Sequence, residues 1–464
     1  MLTLLDNQKK FFNEHNTKSY EFRIKNLVIL REIIKNNETL IKEALYEDLG
    51  KSYGESYMTE ISMVYSEINY LIKNLKRLMK PKKVKTPISL FKGKSYKVYE
   101  PLGNVLIISP WNYPFLLAIN PLAGAIASGN TAILKLSEYS KSTSSLILEL
   151  INTNFDESFI KVINGDKSVS ESLLNLRFDH IFFTGSTTVG KIVMEKASKH
   201  LTSLTLELGG KSPLLILDDA NIKLAAKRAV FGKLINAGQT CIAPDYLIIN
   251  TLRLEEFKKW FIYYVDKFYK DPLNNDTYPK IISEKHFERL INLLEGENII
   301  LGGKHKKQKL EPTLVKAKKD SSLMSEEIFG PILPVITYKE ENDFLKSFKL
   351  AEKPLTMYVF TNDKNKQKEI LTNYSSGSIV FNDTLMQFAN KNLPFGGVGL
   401  SGQGKYHGSE TFKTFSHLKS VLKRSDKVDI NVRYMPFTDE KIKIIKRLNK
   451  WKQLNKIKKY TKMI

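Results

Sequence analysis

The only cysteine in this 464-residue chain, Cys241, lies in the stretch NAGQTCIAPD (236–245). On residue type alone, a lone cysteine is more often a small buried hydrophobe than a reactive group. Its neighbours argue the other way. Gly238, Gln239 and Thr240 are flexible or small and polar, which suits an accessible turn. A thiolate is the reactive form, and a helix N-terminus or a local dipole lowers the thiol pKa from about 8.5. A nucleophile needs a base. LTLELGGKSP (204–213) offers Glu207, flanked by Leu206 and Leu208 ahead of a double glycine. A carboxylate there is costly to bury unless it is used or paired. Desolvation would raise its pKa into the range of a general base. A salt-bridged strand carboxylate is the competing reading. SPWNYP (109–114) adds Asn112, in a course constrained by two prolines. Its neutral amide donor suits a developing oxyanion, although alone the segment reads equally as a turn.

FFTGSTTVG (182–190) joins a strand to a helix. Gly185 and Ser186 fall where helix N–H groups point outward, which makes a phosphate site. The spacing G-x-G-x-x-G occurs only in GVGLSG (397–402), after the proline-bearing loop KNLPFGG and with no strand before it. That context rejects it as a dinucleotide fingerprint. The seven histidines are scattered, without H-E-x-x-H or a cysteine pair, so no metal site is expected. Neither a P-loop nor G-x-S-x-G is present.

Elements must bring these residues together. Length suits two or three domains, and 42% apolar residues suffice for sizeable cores. The first 80 residues are polar with helical periodicity, as at Leu27, Leu30, Ile33 and Ile34, and predict two or three helices. A basic, proline-bounded and extended stretch follows. From 103, NVLIIS, TAILK, IKVIN and HIFFTGS alternate with helical segments, and a second alternation starts at SPLLILDD and runs through YLIIN, LTMYVF and GSIVF. Two α/β domains with parallel sheets result, divided near 209. The apolar region 102–136 is broken by prolines, glycines and asparagines and holds no membrane span. The N-terminal MLTLLDNQKKFF lacks the apolar run of a secretory signal. A single cysteine excludes an internal disulfide framework and fits a reducing, cytoplasmic compartment.

The formal charge is +23, concentrated in 73–97 and 440–464, each with ten Lys or Arg. Nucleic-acid motifs are lacking, and a solvated Lys-rich surface is the favoured reading over nucleic-acid binding. In the tail, Ile442, Ile445, Leu448, Trp451, Leu454, Ile457, Tyr460 and Met463 recur every third residue. On a helix that row drifts by roughly 60° per step, so 444–454 share a face but the whole tail does not. Two readings stand: a basic amphipathic segment on an anionic membrane, or a solvated or dimer-packing helix.

PWNYP, GNTAILKLSE, FTGSTTVGK, LELGGKSP, GQTCIAPDY, EEIFGP (326–331) and LPFGGVGLSGQGKYHG (393–408) together resemble the NAD(P)-dependent aldehyde dehydrogenases, in order, over about 300 residues. The GQTCIAPDY form is most similar to the class 3 branch, which acts on medium- and long-chain or aromatic aldehydes. The resemblance implies a division of labour. Cys241 attacks the aldehyde, Asn112 and the Cys241 N–H hold the oxyanion, and Glu207 activates the water that releases the acid. Lys135 and Glu138 would bind the adenosine ribose, Gly185 and Ser186 the pyrophosphate, and Glu327 and Phe329 the nicotinamide ribose. The implied cofactor is NAD, with NADP as the alternative. The implied fold is two Rossmann-like parallel-sheet domains with a small β oligomerisation or bridging element. Its cofactor domain takes 1–80 and 100–208, its catalytic domain 209–408, its bridging segments 81–99 and 409–438, and its basic tail 439–464. A homodimer follows, with the 81–99 stretch and a strand near 410–425 crossing between subunits. Some class 3 relatives carry a C-terminal membrane anchor, which adds peripheral membrane contact to the expectations. Acyl-transferring or acyl-reducing relatives and a non-catalytic binding protein are the rivals. Glu207 opposes the first, and the trio Cys241, Glu207 and Asn112 opposes the second.

Overall fold

The computed structural model describes residues 1–318 and 321–447. The tail positions Leu448, Trp451, Leu454, Ile457, Tyr460 and Met463 lie outside the described residues. The chain divides into a large unit, 1–79 with 99–417, and a small one, 80–98 with 418–464. The smaller unit centres on a three-stranded sheet in the order Lys82–Val84, Lys94–Pro101, Ser416–Lys423. The short helix Ser409–Thr414 belongs to the larger unit.

The larger unit holds both expected parallel sheets. The first runs in the order Gly402–Gln403, Ser203–Leu208, His180–Gly185, Asn104–Ile108, Thr131–Lys135, Ile160–Ile163. Only the two-residue edge strand is antiparallel, with Gly402 opposite Glu207. Strands buried on both faces read as continuous apolar runs, and NVLII and TAILK are fully buried. The chain leaves Asn104–Ile108 in one direction, then returns to add His180–Gly185 on its other side. Such a reversal opens a crevice at the carboxyl ends of the two strands. Asn112 follows the first of these strands, and Gly185 ends the second. The second sheet has seven strands, in the order Ile299–Leu301, Thr313–Lys316, Ile332–Tyr338, Tyr246–Asn250, Pro213–Ile216, Thr356–Phe360, Ser378–Phe381. Only the Ile299–Leu301 edge is antiparallel. The first sheet's long strands end at Leu208 and the second sheet begins at Pro213.

Helix Leu116–Ser128 is buried at every residue. A helix that is apolar all round belongs in a core or a membrane. At 13 residues it is a core helix, and among the described residues no helix is long and apolar enough to cross a membrane. Each of its fully buried leucines and isoleucines contributes about 1.5–3 kcal/mol. It ends at Gly129 with φ +81, the left-handed cap that favours glycine. At Gly124 a Cβ would stand 2.4 Å from Thr411 Cγ2, so the missing side chain admits helix Ser409–Thr414.

The N-terminal region differs from expectation. It forms helices Leu2–Asn13, Tyr20–Asn36, Glu38–Leu49, Tyr53–Ser56 and Ser62–Met79, with a π-helical turn Tyr57–Ile61. Leu27, Leu30, Ile33 and Ile34 do form one buried face. The extra breaks are local. Ser19 and Ser52 accept N–H bonds as N-caps, and Gly50 turns left-handed at φ +67.

Candidate active site

The turn carrying Cys241 is strained and tightly held. Asn236 and Ala237 adopt φ +52 and +51, a left-handed conformation uncommon outside glycine, and Gly238 follows at +77. A Cβ on Gly238 would stand 2.3 Å from the Gly330 carbonyl oxygen, so this turn packs backbone to backbone on the EEIFGP loop. The Gln239 amide closes the turn from within, donating to the carbonyls of Asn236 and Lys280 and accepting from Ile282 N–H, each at 3.0 Å. Thr240 Oγ1 meets the Tyr113 hydroxyl at 2.6 Å. Behind the cysteine, Tyr358 donates to the Ile242 carbonyl at 2.5 Å.

Cys241 opens onto a cavity whose empty space, the open solvent at its mouth included, is about 930 Å³. Its walls are overwhelmingly apolar, with Met58, Leu117, Phe231, Leu385, Phe388 and Phe395 among them. Glu207 is the only acidic residue in the lining, which holds no basic one. Glu207 is buried, neither carboxyl oxygen has a hydrogen-bond partner, and burial holds its pKa well above the usual carboxylate range. A Cβ on Gly396 would come within 3.1 Å of Glu207 Oε1, so a glycine leaves this carboxylate its room. The cavity therefore joins the thiol to an unpaired carboxyl, although 34 residues separate them in sequence.

The expected lowering of the thiol pKa is not what the surroundings do. Burial chiefly, and then the negative charges of Glu327 and Glu207, push the Cys241 thiol up. The nearby backbone N–H groups of Cys241 and Ile242 favour the thiolate and offset part of this. The neutral thiol is the favoured resting form, so reaction requires its proton to leave.

Asn112 is buried beside this turn and donates its Nδ2 to the Gln239 carbonyl at 3.0 Å. One amide N–H is thereby committed and the other is free. The expected cofactor residues fall into two groups. Lys135, the last residue of its strand, pairs with Glu138 at 3.2 Å. Gly185 ends the neighbouring strand but one, and the Ser186 hydroxyl caps helix Thr187–Ser198 by accepting Val189 N–H at 3.4 Å. That N-terminus suits an anion. In the second group, a Cβ on Gly209 would overlap the Glu327 carboxyl, so the double glycine makes room for it. Burial, with the charge of Asp245, pushes Glu327 up to about 8, partly offset by Gly210 N–H and by Lys211 and Lys233. Phe329, at φ +51, meets Trp111 edge-on with centroids 5.3 Å apart. A strand-end cation, a capped helix N-terminus and a glycine cradle fit a dinucleotide's ribose and phosphates. Among the described residues no cluster of three or more metal-ligating side chains occurs.

Sequence reasoning missed the supports. Lys211 pairs with Asp245 and donates to the carbonyls of Leu323 and Glu326 at 2.7 and 2.8 Å. Asp245 also accepts Ile328 N–H at 2.8 Å. Together they tie the EEIFGP loop to the cysteine turn. A charge on each side of the motifs, GGK and APD, was the available signal. Tyr406 lines the cavity and lies far from Cys241 in sequence, with no local signal.

The model of the aldehyde dehydrogenase family matches residues 4–421. A 4,4'-diaponeurosporen-aldehyde dehydrogenase of Staphylococcus aureus is 44% identical over 444 residues, covering 94% of this chain and 96% of its own. Aldehyde dehydrogenase family 3 member A2 of Rattus norvegicus is 39% identical over 453 residues, covering 95% and 94%. The substrate-bound structure of Staphylococcus aureus AldH superposes with a TM-score of 0.94 at 43% identity, covering 96% and 98%. A betaine aldehyde dehydrogenase of Staphylococcus aureus in complex with NAD+ gives a TM-score of 0.81 at 27% identity, covering 92% and 90%. A glyceraldehyde-3-phosphate dehydrogenase of Methanocaldococcus jannaschii complexed with NADP gives 0.82 at 26%, covering 91% and 94%.

Proposed function

This chain belongs to the aldehyde dehydrogenase family and oxidises aldehydes to acids, and from that premise we propose how its own residues divide the work. Cys241 is the nucleophile: its thiol proton passes to solvent water, and its sulfur bonds to the aldehyde carbon. The free amide N–H of Asn112 and the Cys241 N–H receive the oxyanion. Collapse of this adduct leaves an acyl group on Cys241 as a thioester. Bound NAD or NADP supplies the hydride acceptor, held by Lys135, Glu138, Gly185, Ser186, Glu327 and Phe329. Glu207 then takes a proton from water as it attacks the thioester, releasing the acid and the thiol. The observation that carries this reading is the single cavity shared by Cys241 and an unpaired Glu207. A retained water-activating base disfavours acyl transfer to another acceptor. The sheet of 104–208 with its N-terminal helices would be the cofactor domain, and 209–408 the catalytic one.

The substrate class follows from the walls. A cavity with one acidic residue and no basic one favours a medium- or long-chain aliphatic, or an aromatic, aldehyde over a sugar or phosphorylated one. Initial rates of NADH formation across the straight-chain alkanals test this. Each added methylene is worth about 0.8 kcal/mol, so kcat/KM should rise about fourfold per carbon until the cavity is full. A flat or falling series from acetaldehyde upward would refute the assignment.

A homodimer built through the smaller unit's sheet is supported by its exposed Val84, Ile88, Phe91, Leu418 and Leu422. Sedimentation showing only a 53.2 kDa species would contradict it. Residues 439–447 are helical, with Ile442, Ile444 and Ile445 exposed among lysines, which supports contact with anionic membranes from a cytoplasmic location. Vesicles containing phosphatidylserine should co-sediment the full chain and not one truncated after 438. Equal binding would remove this reading.

A further inference from the structure

Asn112 sits against a buried ion pair that the reaction scheme does not use. Lys51 and Glu60 are both fully buried, with Nζ and Oε1 2.6 Å apart. Two charges in a core are tolerated only when geometry and further hydrogen bonds satisfy them. Here they do. Glu60 Oε2 accepts the N–H groups of Phe115 and Leu116, each at 3.0 Å, where the buried helix begins. Lys51 donates a second bond to the Asn112 carbonyl at 3.1 Å and lies 4.0 Å from the Tyr113 ring centroid. The pair therefore grips residues 112–116 from both ends.

Glu60 reaches this place through the π-helical turn Tyr57–Ile61, closed by the Ser62 N–H on the Tyr57 carbonyl. Such turns shift a helix's register and recur at functional sites. On this one, Met58 and Thr59 line the cavity while Glu60 turns into the core. From the other side, Asn236 Nδ2 donates to the Asn112 carbonyl at 2.7 Å and to the Gln239 carbonyl at 3.1 Å. Glu55 accepts Asn236 N–H at 2.7 Å. Both lone pairs of the Asn112 carbonyl are thus occupied, one by Lys51 and one by the cysteine turn.

We propose that the Lys51–Glu60 pair is a positioning device for the oxyanion donor: by holding the Asn112 carbonyl and the helix start, it fixes the Asn112 amide against the turn that carries Cys241 before reaction. This rests on the reading of Asn112 as that donor. Such donors work because they need no reorganisation as charge develops. Lys51 and Glu60 touch neither substrate nor cofactor. Their effect passes through Asn112.

The test is a mutant cycle on the full-length enzyme, reading kcat, KM and NADH affinity for Asn112→Ala, Lys51→Met/Glu60→Gln and the triple variant. Asn112→Ala should lower kcat about 10²–10³-fold. The pair variant should lower it about 10–100-fold, with KM and NADH affinity within about threefold. Because the pair acts through Asn112, the triple variant should lose no more than about threefold beyond Asn112→Ala. Losses that multiply in the triple variant would overturn the proposal, as would an unaffected pair variant. If Asn112→Ala itself keeps the wild-type rate, the oxyanion reading fails first and takes this one with it. Should the pair variant not fold, Glu60→Gln alone keeps Lys51 and the acceptor for both N–H groups. It should still lose about threefold to tenfold in kcat, and an unchanged kcat would again overturn the proposal.

Discussion

Replacing Cys241 with serine should lower steady-state NADH formation by at least about 10³-fold, equivalent to about 4 kcal/mol on the barrier. Serine is close in shape, so folding and NADH binding should persist. What is lost is nucleophilicity: a hydroxyl is a weak nucleophile without an activating base. Only one cysteine is present, so a carbamidomethyl group from iodoacetamide, mapped to the peptide holding Cys241, reports the reactivity of this thiol. Burial, with Glu327 and Glu207 nearby, pushes the thiol up. In enzyme without cofactor, labelling should therefore be slow at pH 7 and accelerate about tenfold per pH unit toward pH 10, following the thiolate fraction. A serine variant above a tenth of the wild-type rate would remove Cys241 from the chemistry. A labelling rate that levels off near neutrality would show that the sulfur is activated by a group other than those packed around it.

What could be read in advance follows from where each signal is written. Strands such as TAILK and YLIIN are buried on both faces and need continuous apolar runs, so composition alone exposes them. Gly129 ends its helix because only a residue free to turn left-handed closes it cheaply. Cys241 and Glu207 drew attention because each stands out against its own neighbours, whereas Asn112 read equally as part of a turn and joined them only through the ordered motifs of the family it resembles. The N-terminal helices were undercounted because one apolar period runs on across breaks made by Ser19, Gly50 and Ser52, residues that are also ordinary inside polar helices. Lys51 and Glu60 were illegible for a related reason. Their chemistry lies in meeting each other and the Asn112 turn, 52 and 61 residues away from Glu60 and Lys51 respectively, and a lysine among polar helices looks like any solvated charge. The same limit hid the direction of the thiol's shift. Residues flanking a cysteine hint at its exposure, whereas burial in the fold, and after it the carboxylates brought near from 327 and 207, decides its charge.

Glu207→Gln should split the reaction in two. Acylation needs Cys241 and the oxyanion donors, so one NADH per active site should form in a rapid burst. Turnover should then fall about 10²–10⁴-fold, the range that a positioned general base supplies. The substitution suits the site: glutamine matches the shape, and neither carboxyl oxygen has a partner to lose, so stability should change little. Added hydroxylamine should restore turnover, because its nitrogen attacks the thioester without Glu207 and yields the hydroxamate with the free thiol. The pH dependence carries a sign. Burial keeps the Glu207 carboxyl protonated well above the usual carboxylate range, and only the ionised form accepts a proton from water. Wild-type kcat should therefore climb with pH as Glu207 ionises, and the glutamine variant should lose that limb. Two results would displace the assignment. Steady-state turnover above a third of wild type would mean that water is activated elsewhere. A burst lost along with turnover would place Glu207 before the thioester, as the acceptor of the Cys241 proton, which the elevated thiol would then require.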